Sequence, residues 1–156
     1  LTCVVSVSHA YETEPAYGIA MPVANAVAEI RTELHPLVLM GKLLEVENEL
    51  GRIRPKDGEK DAAGSGGAKA RRGPKKPGTG PRTIDCDLVW VEGESHAGAR
   101  LTLPHPRLGE RDYVIVPMED LMHDPERFLA HAGVAVTPRE ERVGQVTADL
   151  GEVTWE

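Results

Sequence analysis

The chain has 156 residues, 40% of them hydrophobic but only 4% aromatic, and a formal net charge of −7. That length fits one domain with room for a disordered segment, and the apolar share supports an aliphatic core. The acidic balance argues against a nonspecific nucleic-acid coat, and no apolar run approaches the roughly 20 residues of a membrane-spanning helix. Two cysteines, Cys3 and Cys86, form neither a disulfide framework nor a zinc motif, which suits a reducing, cytoplasmic setting. No secretory leader is visible. The sequence opens at Leu1 directly in a strand-like pattern, so a natural N-terminus upstream is expected.

Hydrophobic periodicity sets the expected elements. Residues 2–11 alternate as a strand, with Val5, Val7 and His9 on one face and Val4, Ser6 and Ser8 on the other. Glu14-Pro15 and Tyr17-Gly18 end it. Residues 25–34 alternate again, with Ala26, Ala28, Ile30 and Thr32 sharing a face. His35-Pro36 then starts a helix, with proline in its first turn. Leu37, Met40, Leu43, Leu44, Glu47 and Leu50 follow at helical spacing, and Gly51 is the expected C-terminal cap. Residues 84–91 read as a buried strand. A turn around residues 93–98 leads to a partner strand at 100–103. Helices are expected over 110–122 and 125–132, and the tail from Val143 carries little pattern.

The interval between these halves differs in kind. Residues 52–82 hold ten bases against three acids, a local excess of +7, while the remaining 8 bases and 22 acids give the body −14. Residues 51–82 also contain eight glycines and four prolines around a Gly64-Ser65-Gly66-Gly67 centre. Such a stretch does not pack, and loops this long inside one domain are usually functional lids or disordered insertions. A disordered lid insertion is expected at about residues 55–79, within a single domain spanning 1–156. A basic loop on an acidic body points to a local anion site.

The most informative run is Gly80-Pro81-Arg82-Thr83-Ile84-Asp85-Cys86-Asp87-Leu88. Asp85 and Asp87, two apart on an expected strand, share one face. Adjacent carboxylates repel unless a cation lies between them, and magnesium commonly takes one or two carboxylates plus substrate phosphates. A D-x-D pair alone reads better as solvated surface; the basic, glycine-rich loop before it turns the reading to metal. Arg82 lies three residues ahead, and Arg52 and Arg54 sit at the loop's other root. Guanidinium forks grip phosphate oxygens, and phosphoryl transfer needs little beyond positioning and charge neutralisation. Taken alone, Arg52 and Arg54 read better as an ordinary basic helix end. Downstream, Leu103-Pro104-His105-Pro106 fixes a histidine that either donates to a phosphate or ribose, or simply occupies a turn. Tyr113 either stacks on a flat ring or fills core. Asn25, in an apolar strand, needs partners, from a heteroaromatic ligand or from backbone.

These residues, in this order, resemble the 6-hydroxymethyl-7,8-dihydropterin pyrophosphokinases of folate biosynthesis. The resemblance is carried by Tyr11-Glu12-Thr13-Glu14-Pro15, Asn25-Ala26-Val27, Glu47 through Arg54, the run around Asp85, and Leu103-Pro104-His105-Pro106 with Arg111, Tyr113 and Pro117. It implies an α+β, ferredoxin-like fold. It also implies transfer of the β,γ-diphosphate of ATP to the pterin's hydroxymethyl group, releasing AMP. By this resemblance Asp85 and Asp87 hold two magnesium ions, and Arg52 and Arg82 act on the phosphates. Arg54, Leu88, Arg100, Thr102, His105 and Arg111 contact ATP; Thr13, Asn25 and Tyr113 contact the pterin. The loop matches a lid closing over both substrates.

The sequence departs from the family in four places. The opening strand with its Gly-Ser-Asn signature and the first helix do not occur in it. Val23 stands where an aromatic residue is usual, Thr79 where a tryptophan is usual, and the loop is longer. Two other readings remain: a nucleotide- or RNA-binding module using the basic loop, and an inactive fragment of a bifunctional folate-pathway enzyme. The loop's lack of aromatics speaks against the first; Arg82, Asp85, Asp87 and His105 speak against inactivity.

Overall fold

A computed structural model describes residues 1–17, 21–51 and 84–154. The expectations for Arg52, Arg54, Arg82, Thr79 and the lid at 55–79 lie outside the described residues.

The architecture mixes α-helices with antiparallel sheets, as an α+β chain should. The expected strand over 2–11 is two strands, β1 (Thr2–Val7) and β2 (Ala10–Thr13). The expected strand over 25–34 is likewise β3 (Val23–Asn25) and β4 (Ala28–Thr32). β1 pairs with β4 and β2 with β3, so one long antiparallel ribbon changes sheet partway. The change happens at Ser8, which is fully buried. Its N–H donates to Val27 O at 2.9 Å, and its hydroxyl accepts from Val27 N at 2.9 Å while donating to His9 O at 2.7 Å. A bulge at Val5 also breaks the expected two-residue alternation, since Val4 pairs with Ile30 and Ser6 with Glu29. Val4 and Val5 are consequently both exposed.

α1 (Pro36–Glu49) forms where the sequence places it. His35 Nδ1 accepts from Leu37 N at 3.3 Å, Pro36 sits in the first turn, and Gly51 ends it at φ +89° with its N–H on Asn48 O. The expected apolar face is only partly inward: Leu39 and Glu47 are buried, whereas Leu37 and Leu50 are exposed. Residues 84–91 form no sheet ladder. Their alternation survives, with Asp85 and Asp87 exposed between half-buried Ile84, Cys86 and Leu88. The partner of residues 100–103 is instead β5 (His96–Ala97), paired with β6 (Thr102–Leu103) around a turn closed by Gly98 N on Leu101 O.

The expected helix over 110–122 is shorter. A 3₁₀ turn at Leu108–Glu110 precedes α2 (Asp112–Met118), and Pro117 removes a donor near its end. α3 (Pro125–His131) follows, capped by the Asp124 carboxylate accepting Arg127 N at 3.0 Å. β7 (Val146–Gly151), which the sequence pattern did not show, adds to β2 to complete a three-stranded sheet β3–β2–β7. The core is aliphatic as expected: Leu108, Val114, Ile115, Met118 and Leu129, with Trp90 and Phe128 packed edge to face at its margin. Among the described residues no helix is long and apolar enough to cross a membrane.

One buried ion pair ties these parts together. Asp112 and Arg142 side chains are at most 2% exposed and meet at 3.4 Å. Asp112 Oδ2 also accepts Val146 N at 2.9 Å; Arg142 Nε donates to Thr137 O and Nη2 to Glu126 Oε1. Removing one partner of such a pair leaves a buried charge uncompensated. Asp112→Ala is therefore expected to lower unfolding free energy by about 3–5 kcal/mol in a denaturant titration. Leu37→Ala, on the exposed helix face, should change it by less than about 1 kcal/mol.

Candidate active site

The two aspartates are set by a backbone anchor between them. Glu47, wholly buried on α1, accepts the Cys86 N–H through Oε1 at 2.7 Å. A carboxylate accepting from an N–H in a dry setting makes a strong hydrogen bond, which fixes the peptide from which Asp85 and Asp87 both project. Three residues on, Val89 O accepts His105 N at 2.8 Å. The segment is thus held at both ends without belonging to a sheet. Its two exposed carboxylates are a donor set suited to magnesium. Among the described residues no cluster of three or more His, Cys, Asp or Glu side chains forms a fuller metal cage, so this pair would share a cation with ligands from elsewhere.

Beside Asp87 lies a stack of cations and rings. Arg111 Nη1 stands 3.7 Å from Asp87 Oδ2. The Arg111 guanidinium carbon is 5.4 Å from the Tyr17 ring centre and 5.6 Å from that of Tyr113. Arg107 covers Tyr17 at 4.7 Å. Tyr17 in turn donates its hydroxyl to Glu110 Oε1 at 2.9 Å, and its φ of +52° is one that few non-glycine residues adopt. Arg111 Nε is buried and has no hydrogen-bond partner among the described residues. An unpaired buried donor on a cation is costly to leave so, and an incoming anion would satisfy it. His105 belongs to the same group. Burial, and then the positive charge of Arg111, hold its pKa below the ordinary 6.5, with Asp87 opposing. Its Nδ1 accepts Arg107 N at 3.2 Å, which leaves Nε2 as the protonated donor of the neutral ring. Burial also pushes the Tyr113 hydroxyl up to about 12, so it stays protonated.

Thr13 and Asn25 form a second group, diagonal neighbours across β2 and β3. Asn25 Nδ2 donates to Thr13 Oγ1 at 2.9 Å, and Thr13 is buried. The structure therefore gives the Asn25 amide a side-chain partner rather than a backbone cap. Arg100 and Thr102 stand exposed on the β5–β6 hairpin, and no hydrogen bond or ion pair among the described residues links either to Asp87 or Arg111. Leu88 is half-buried beside Asp87. Tyr17, Arg107, Glu110 and Glu47 all shape the site without having been singled out for it. Glu47 alone left a signal, as a charged residue within the apolar stripe of α1.

Two histidines should titrate in opposite directions. His9 Nδ1 bonds the Asp149 carboxylate at 2.9 Å, and this bond raises its pKa above 6.5. The stability it contributes is full below 6.5 and lost as pH rises through the raised value. His105 does the reverse. The unfolded ring takes a proton near 6.5 while the folded one resists, so folding loses stability as pH falls from 6.5 toward the lowered value. Imidazole NMR titration of the chain should show the His9 midpoint above 6.5 and the His105 midpoint below it.

A family model described as 7,8-dihydro-6-hydroxymethylpterin-pyrophosphokinase (HPPK) matches residues 1–123. A 2-amino-4-hydroxy-6-hydroxymethyldihydropteridine pyrophosphokinase from Haemophilus influenzae is 35% identical over 124 residues, covering 79% of this chain and 64% of that protein. A protein of the same name from Bacillus subtilis is 31% identical over 130 residues, 83% of this chain and 65% of the relative. The folic acid synthesis protein fol1 of Pneumocystis carinii is 33% identical over 122 residues, which are 78% of this chain but 14% of fol1. The chain thus spans just under two thirds of the two pyrophosphokinases it matches. With a match over residues 1–123, the chain belongs to the 7,8-dihydro-6-hydroxymethylpterin-pyrophosphokinase family.

Proposed function

We propose that this chain provides the catalytic surface for ATP-dependent diphosphate transfer to 6-hydroxymethyl-7,8-dihydropterin, a step of folate synthesis. The observation that carries the reading is the Asp85–Asp87 pair, anchored through Cys86 N on buried Glu47, with Arg111 drawn up against Asp87. In the reaction the pterin's hydroxymethyl oxygen attacks the β-phosphorus of ATP. The bond from that phosphorus to the oxygen bridging the α-phosphate breaks, AMP departs with that oxygen, and the hydroxyl proton passes to solvent. Asp85 and Asp87 would hold two magnesium ions, whose chemistry is to neutralise the polyphosphate and orient it for in-line displacement. Arg111 offers its orphaned Nε–H and forked guanidinium to phosphate oxygens, and neutral His105 offers Nε2–H. Thr13, Asn25 and Tyr113 supply a hydrogen-bonding edge and a flat ring for the heterocycle. Arg52, Arg82 and Arg54, with Leu88, Arg100 and Thr102, complete the phosphate and nucleotide contacts in this reading.

The same proposal takes the whole protein as a ferredoxin-like sandwich working in the cytoplasm, where ATP is held. It includes fusion to, or association with, another folate-pathway enzyme. Support for that comes from fol1, of which the matched stretch is a small part.

The test is to incubate the chain with ATP, magnesium and the pterin and to identify the nucleotide released. AMP appearing only when pterin is present is the expected outcome; ADP, or AMP without pterin, would contradict it. Asp85→Asn and Asp87→Asn should each lower AMP formation by about 10²- to 10³-fold. Because both side chains are exposed, melting temperature should hardly move.

A further inference from the structure

Residues 142–146 lie beyond the family match, yet they are bonded to both halves of the site. On one side, Thr13 of β2 pairs with Val146, and Glu14 N donates to Gln145 O at 2.9 Å. On the other, Asp112 sits in sequence between Arg111 and Tyr113. Its N–H donates to Val143 O at 3.0 Å, and its carboxylate takes Val146 N and Arg142. Val143 N closes the bridge on Glu110 O at 2.8 Å.

At the centre of this bridge is Gly144, with φ +65° and the Tyr113 ring directly against it. A Cβ there would come 2.4 Å from Tyr113 Cδ1 and 2.9 Å from Cε1. Ordinary carbon contact is near 3.5 Å, so the ring edge would have to move by about 1 Å. The hydrogen bonds just described fix the backbone, which makes the ring the part that yields.

We propose that residues 142–146 are a positioning strap that sets the Tyr113 ring relative to the Thr13–Asn25 pair, and that Gly144 is a specificity-determining position for the flat heteroaromatic ligand. The ligand's identity rests on the proposed pterin reading; the placement of the ring does not. Glycine is required twice, for its backbone angle and for the missing Cβ. The second requirement is the one that tunes the site.

Gly133 separates the two requirements. It has φ +79° but no atom within 4 Å of a built Cβ, so Gly133→Ala carries the backbone strain without touching a ring. The chain has three tyrosines, and 3-fluorotyrosine labelling should give one ¹⁹F resonance for each, with Tyr113→Phe identifying the third. Gly144→Ala should shift the Tyr113 resonance and Gly133→Ala should not. Affinity for 6-hydroxymethyl-7,8-dihydropterin, measured with α,β-methylene-ATP present, should fall about tenfold in Gly144→Ala, and affinity for α,β-methylene-ATP alone should change by less than about twofold. Equal losses in both alanine variants would overturn the proposal, as would an unmoved Tyr113 resonance. Should the unaltered chain bind neither ligand, the pterin reading fails, and the resonance comparison alone decides the strap. Should Gly144→Ala not fold, Arg142→Lys keeps the charge but loses the fork that holds Thr137, Asp112 and Glu126. It should likewise shift the Tyr113 resonance, and an unmoved Tyr113 resonance would overturn the strap.

Discussion

The buried carboxylate of Asp112 is the constraint on which the rest of the described structure depends. It lies at the first residue of α2, where a negative charge also suits the helix dipole. An ionised group so deep is tolerable only when its lone pairs are taken up, and Arg142 and Val146 N do so. Those two partners come from the segment leading into β7. β7 reaches β2, β2 reaches β3, and the ribbon continues into β1 and β4. One side chain therefore fixes where α2 stands relative to the sheet. It also fixes the two residues on either side of it, Arg111 and Tyr113, which face the candidate site.

Glu47 does a related job on the opposite flank. It too is a buried carboxylate, and it too accepts a backbone N–H from a segment far away in sequence. The segment it holds has no sheet ladder of its own, and the Glu47 bond sets its course at Cys86 as the His105 N–H does at Val89 O. Burying a carboxylate to hold one peptide is costly in stability. Its return is positional. The peptide at Cys86 is the midpoint of the Asp85–Asp87 pair, and a cation shared by two carboxylates tolerates little variation in their spacing.

How much of this was legible in the sequence depends on how local each cause is. The start and stop of α1, the existence of a short helix from Pro125, and the alternation that exposes Asp85 and Asp87 follow from neighbours within a few residues, and all were readable. The break at Ser8 was not. It comes from Val27, nineteen residues away, and polar Ser8 reads as an ordinary strand residue until that partner is known. The pairing of residues 100–103 with β5 instead of 84–91 was lost for the same reason, since register belongs to two segments at once. The role of Asp112 was hidden because its partner Arg142 lies in a tail without periodicity. At the site, Asp85, Asp87, His105 and Arg111 were named from the sequence, whereas Arg107 and Glu110 were not. Those that hold them in place, Glu47, Tyr17 and Gly144, act through shape and burial, which a one-dimensional pattern does not record.

The loose contact between Arg111 and Asp87 fits this division. At 3.7 Å, with Asp87 half exposed, the pair is weak, and it is a poor match to a mostly buried guanidinium whose Nε has no partner among the described residues. Stacking between Tyr17 and Tyr113 keeps the side chain extended without satisfying its donors. An arginine held by rings and left short of acceptors is preorganised for a bidentate anion, because binding then needs no rearrangement of the cation, only an exchange of acceptors. A lysine could not stand in, lacking both the planar face and the fork. Under the proposed reaction, phosphate reaching Arg111 would leave Asp87 able to hold a magnesium ion. The two acquisitions would then favour each other, with the Tyr17 ring keeping the guanidinium in place during the exchange.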